Sequence, residues 1–147
     1  MRAVLSHAAG GPQTLVFEEI EAPVPKAGEV LIRVAACGVN FPDALIIEDK
    51  YQFRPQRPFA PGGEVAGTIE AVGSDVTGLK PGERVLASVG WGGMAEKAVA
   101  AAERCVVIPS TMPFNEAAGF LMTYGTSYHA LIDRGHLKAG DTLLVLG

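Results

Sequence analysis

Gly62-Gly63-Glu64-Val65-Ala66-Gly67, then Gly73, Val76 and Lys80-Pro81-Gly82-Glu83-Arg84-Val85, is the stretch on which the fold of this chain turns. Its apolar residues come in short runs, and Gly67, Gly73, Gly78 and Gly82 recur at intervals that suit bends and bulges. The block from Glu64 to Val89 therefore reads as strands of a small barrel.

Toward the N-terminus, Val30, Ile32, Val34 and Ala36 alternate with Arg33 and its neighbours, which predicts a half-buried strand from Glu29 to Val39. Farther out, Arg2–Leu5 and Leu15–Glu18 read as strands turned by Gly10-Gly11-Pro12, and Ala22-Pro23-Val24-Pro25 as a connector. Asn40-Phe41-Pro42-Asp43 opens a short helix through Ile47, with Asn40 as N-cap and Pro42 in the first turn. Pro55, Pro58 and Pro61 make the segment from Tyr51 an irregular loop.

Toward the C-terminus, Ala117, Leu121, Tyr124, Tyr128 and Leu131 recur at helical spacing. They predict an amphipathic helix with Arg134 in its last turn and Gly135 as a left-handed cap. Lys138-Ala139-Gly140-Asp141 then turns into Thr142–Leu146, an apolar run of the buried parallel-strand type.

Composition agrees with many short elements. The 147 residues include 18 glycines and 10 prolines, and 48% are hydrophobic, which excludes a disordered chain. A net charge of −4 gives no electrostatic footprint for nucleic acid or an anionic membrane. No apolar run approaches the ~20 residues that span a bilayer, and Met1–Ser6 is broken too soon by Gly10-Gly11-Pro12 to read as a signal peptide. Cys37 and Cys105 are too few for a disulfide framework and read as reduced thiols, with the cytoplasm as the expected compartment.

Gly90-Trp91-Gly92-Gly93-Met94-Ala95 fits the dinucleotide-binding pattern G-x-G-x-x-A, and Met94–Arg104 has helical propensity. No clear second strand with an acidic residue ~20 positions on completes that pattern. The segment is read instead as a glycine turn between strands, with Met94 to Val99 as strand.

In combination these pieces resemble the medium-chain dehydrogenase/reductase superfamily. Gly62–Gly67 with Gly73, Val76 and Gly82–Val85 resembles its G-H-E-x2-G-x5-G-x2-V and G-D-x-V signature. Ala36–Asp43 looks like its A-x-G-V-N-x-x-D segment, and Gly92–Glu96 its G-G-x-A-E strand. Glu116-Ala117-Ala118 and Thr126–Leu131 look like its E-A-A and T-x-Y-x-A-L helix. The resemblance implies a mainly β chain. Residues 1–113 would be a GroES-like catalytic domain, a partly open barrel that binds substrate. Residues 114–147 would be connecting helices and the first Rossmann strand, with the cofactor domain's phosphate turn falling after Gly147.

Zinc alcohol dehydrogenases of this superfamily carry a Cys at the position matched by Asn40, a His at Gly63 and a Cys at about Met122. A carboxamide, a hydrogen and a thioether are poor zinc ligands, so no metal is expected. His7, His129 and His136 show no spacing for another site, and Cys37 reads as a buried strand residue.

Without a Lewis acid, alcohol oxidation loses the group that stabilises the alkoxide. A quinone or activated C=C delocalises the incoming charge itself. The Val39-Asn40-Phe41 segment and the missing ligands resemble the zinc-independent quinone oxidoreductase and enoyl reductase branches. The resemblance implies NADPH as cofactor, with Asn40 beside the nicotinamide and Thr126 orienting its carboxamide. Tyr51 falls where several relatives carry an active-site tyrosine; its phenol would bond the substrate oxygen or donate a proton, or else simply pack in the loop. Phe41 and Trp91 are candidate substrate contacts, and Asp43 a helix cap.

The function implied is the substrate-side domain of an NAD(P)H-dependent quinone or enone reductase. A 2-enoyl thioester reductase and a stand-alone GroES-like binding module are the alternatives. These 147 residues alone are expected to be inactive, because hydride transfer needs both reactants held in near-attack geometry. The apolar Thr142–Leu146 strand is expected to pair with another copy, giving a homo-oligomer.

Overall fold

In the computed structural model, which describes residues 1–146, strands β1 (Arg2–Leu5) and β2 (Val16–Glu19) form an antiparallel pair. Strands β3 (Glu29–Gly38), β4 (Glu64–Val72), β5 (Arg84–Ser88), β6 (Lys97–Ala101) and β7 (Cys105–Val107) form an antiparallel sheet in the order β6-β3-β4-β5-β7. The bridges Ala3–Ala95 and Ser6–Phe59 tie the pair to loops of the larger sheet, leaving an open β-structure of the expected class. Helix α1 (Phe41–Ile47) follows β3, and α2 (Phe114–Ala118) follows β7.

The decisive stretch supplies the central strand. β4 pairs with β3 on one edge and β5 on the other, and it buries side chains on both faces. Val65 and Ile69 join Val30, Ile32, Val85 and Ala87 in one cluster; Ala66 joins Leu86, Ile108, Ala117 and Ala118 on the opposite face, under α2. Each large aliphatic side chain withdrawn in this way contributes about 1.5–3 kcal/mol. Two glycines of the stretch let backbones touch. A Cβ on Gly67 would overlap the Arg33 carbonyl oxygen, and one on Gly73 that of Lys26.

Five expectations change in detail. Val30, Ile32, Val34 and Ala36 do not share one face throughout β3. A register shift between Val34 and Ala36 moves Ala36 to the α2 side, as a bulge reverses alternation. Met94–Val99 is not helix, but the strand begins only at Lys97. The Met94 carbonyl accepts Val4 N–H and Glu96 N–H donates to Arg2, so this part of the chain crosses β1 before joining β3.

The continuous helix through Leu131 is interrupted. α2 ends at Ala118, and 121–134 winds as wide π-type turns around a short α-helical turn at Thr126–Tyr128. Thr123 and Ser127 hydroxyls bond carbonyls four residues back, a contact that opens helices. Tyr124 and Tyr128 lie exposed on this stretch. At its end the left-handed residue is His136 (φ 51°), whereas Gly135 stays helical. Thr142–Leu146 forms no strand, because a strand exists only through ladder bonds to a neighbour, and none is paired with it among the described residues.

Candidate functional site

β3 leads into Asn40 and α1, whose geometry rests on one carboxylate. Asp43, buried at the third helical position, accepts the Asn40 N–H at 2.8 Å, the carboxylate half of a capping box. Its other oxygen accepts the Gly62 N–H at 3.0 Å, so one side chain ties the helix start to the turn entering β4. At the far end, Arg57 bonds the Ile47 carbonyl at 2.9 Å and the Asp49 carboxylate at 2.8 Å. Cation and ion pair there complement the negative C-terminal end of α1 and hold the 51–61 loop against it.

Between α1, this loop and the ends of β4 and β5 lies a cavity of about 470 Å³. Asn40, Tyr51 and Trp91, three of the residues expected at a site, all line it. Tyr51 packs against Ile46, Ile47 and Phe59 and leans on Phe53 with ring centroids 5.8 Å apart. Phe41 and Thr126 do not line the cavity; both are exposed, Phe41 by 76%.

The sequence reading passed over Glu64. It is 1% exposed, and its carboxylate accepts the Asn40 Nδ2–H at 2.9 Å and the Met122 N–H at 3.0 Å. A carboxylate only accepts, so the NH2 end of the Asn40 carboxamide must face it. The carbonyl end of that amide is thereby defined. Glu64 also joins β3's exit to the stretch after α2, through two bonds across 24 and 58 residues of sequence. Ser88, Phe53 and Arg104 are further lining residues that no motif singled out. Glu64 stood within the decisive motif, but only the fold shows what it bonds.

Asn40, Gly63 and Met122, the positions of zinc ligands in metal-dependent relatives, do converge on this cavity. Their carboxamide, hydrogen and thioether do not fit that ion. Among the described residues no three His, Cys, Asp or Glu side chains gather as a metal site. Cys37 lies behind the cavity, its thiol pushed up to about 12 by burial and then by the Asp43 and Glu64 carboxylates. It stays protonated and is no nucleophile at neutral pH.

Residues 26–110 match the family model of the alcohol dehydrogenase GroES-like domain. The chain belongs to that family. It is 42% identical over 149 aligned positions to the quinone oxidoreductase of Homo sapiens, covering 100% of this chain and 45% of that protein. The crystal structure of human synaptic vesicle membrane protein VAT-1 homolog-like protein superposes with a TM-score of 0.92 at 38% identity, covering 95% of this chain and 45% of that one. Escherichia coli quinone oxidoreductase, solved in complex with NADPH, gives a TM-score of 0.86 at 28% identity over 94% of this chain and 42% of that one. The chain thus spans about half the length of the relatives it matches, and its resemblance to the medium-chain dehydrogenase/reductase superfamily holds across that half. No helix among the described residues is long and apolar enough to cross a membrane.

Proposed function

We propose that this chain is the substrate-side part of an NADPH-dependent oxidoreductase that reduces quinones or activated C=C bonds without zinc. The observation that carries the reading is the convergence of Asn40, Tyr51 and Trp91 on one aromatic-walled cavity at the end of the central strands. The names of the relatives, and the NADPH held by the bacterial one, support it.

Asn40 fits a nicotinamide, because Glu64 fixes its carboxamide at the cavity wall, where the amide of that ring would meet it. The cofactor, when bound, supplies the hydride. Trp91 and Phe53, half-exposed at the cavity wall, offer apolar rings to a planar acceptor. Tyr51 holds the acceptor oxygen through its phenol and gives a proton as charge builds there. Thr126, from the segment after α2, is assigned to the cofactor side. Phe41 is assigned to the substrate mouth, from its exposed place at the start of α1.

Residues 1–113 are read as the substrate domain and 114–147 as the connector to a cofactor domain, whose sheet would supply Thr142–Leu146 with the ladder partners it lacks among the described residues. Self-association through Thr142–Leu146 and a reducing, cytoplasmic setting suited to free Cys37 and Cys105 belong to the same reading.

The test is NADPH oxidation, followed at 340 nm, by the polypeptide that contains this chain together with its cofactor half. Quinone- or enone-dependent turnover that falls about 10²-fold in Tyr51→Phe, in the range of a lost general acid, supports the proposal. Turnover of alcohols alone, or none with any quinone or enone, overturns it.

A further inference from the structure

We infer that Arg104 makes the cavity selective for acceptors carrying an anionic group, a carboxylate or sulfonate on the quinone or enone skeleton; this rests on reading the cavity as the acceptor site.

Strand register places Arg104 at the cavity. Glu64 pairs with Ser88, and Ala87 pairs with Cys105. Arg104, one residue before Cys105, therefore stands beside Ser88 at the end of the sheet. Arg104 closes the 3-10 turn Ala102–Arg104 that leads into β7, and it lines the cavity together with Ser88.

Charge comes next. Asp43 and Arg104 are the charged side chains lining the cavity among the described residues. Asp43 is buried, with each carboxylate oxygen taken by a backbone N–H, from Asn40 and Gly62. The guanidinium of Arg104 is different. Arg57 and Arg84 are bound to carbonyls and, for Arg57, a carboxylate, whereas no hydrogen bond or ion pair holds Arg104 among the described residues. The wall thus offers one uncommitted cation and no uncommitted anion.

Shape completes it. Tyr51, Phe53 and Trp91 accept a flat ring, and a rigid planar fork of N–H donors at the rim suits a carboxylate or sulfonate attached to that ring.

Trp91 is the sole tryptophan of the sequence and lines the cavity, so its fluorescence reports occupancy directly on this chain. Two probes share one ring system: anthraquinone-2-sulfonate, which is anionic, and 2-(hydroxymethyl)anthraquinone, which is neutral. Quenching is corrected with free tryptophan. We expect saturable quenching by both, tighter for the sulfonate. Arg104→Met should weaken the sulfonate about fivefold, as for an exposed ion pair, and leave the neutral probe unchanged. Arg104→Lys should retain most of the preference, and 0.5 M salt should erase it. Equal weakening of both probes, or no change for either, in a variant with native circular dichroism overturns the role of Arg104 but not the acceptor site. Failure of both probes to bind the unaltered chain overturns the acceptor reading as well.

Discussion

β4 and the run Leu143–Leu146 are both apolar on paper, yet they meet opposite fates. In β4, Val65, Ala66 and Ile69 are at most 1% exposed, whereas Leu144, Val145 and Leu146 are 78%, 78% and 82% exposed. The difference is neighbours. β4 has β3 and β5 on its edges, a core beneath and α2 above, while Thr142–Leu146 has no ladder partner among the described residues. Hydrophobic sequence supplies a tendency to be buried, and only a surface to lie against converts it into stability.

Two truncations separate the fates of these segments. Ile69→Ala should cost about 2–5 kcal/mol, because it opens a cavity in a packed cluster. Leu144→Ala should stay within about 0.5 kcal/mol. Urea denaturation of the two variants checks both, and similar losses would show the tail to be packed in solution.

A second contrast lies in polar burial. Glu64→Gln keeps the bond from Met122 but sets one NH2 group against another at Asn40, so it should cost about 1–3 kcal/mol. Exchanging the pair, Asn40→Asp with Glu64→Gln, restores donor to acceptor and should recover much of that loss. A double-mutant cycle by thermal unfolding measures the coupling.

The smallest effect concerns alkaline pH. Cys37 keeps its proton in the fold up to about 12, above its ordinary 9.0, because of burial and the nearby carboxylates. The unfolded chain therefore loses this proton first. The stabilisation is complete below pH 9, declines as pH rises above it and is gone beyond 12. Cys37→Ala should make the alkaline limb of stability against pH shallower. An unchanged slope would assign that limb to other groups, Cys105 first, since burial raises its thiol to about 11.

Much of this protein could be read in one dimension. Alternation at Val30 and Ile32, the glycine spacing from Gly62 to Gly82 and the Asn40–Asp43 helix start are local signals, set by side-chain sterics and short-range hydrogen bonds. They marked the strands and turns. The resemblance of the combined motifs to the medium-chain dehydrogenase/reductase superfamily carried the fold class and pointed to Asn40 and Tyr51, which line the cavity with Trp91. The opened turns after Ala118 come from local Thr123 and Ser127 hydroxyl bonds that apolar spacing does not register. The bulge in β3 and the delayed start of β6 were not legible, because each depends on a partner distant in sequence. The same holds for Glu64 beneath Asn40 and for Arg104 beside Ser88. Those neighbours are 24 and 16 positions apart, and only the sheet register brings them together.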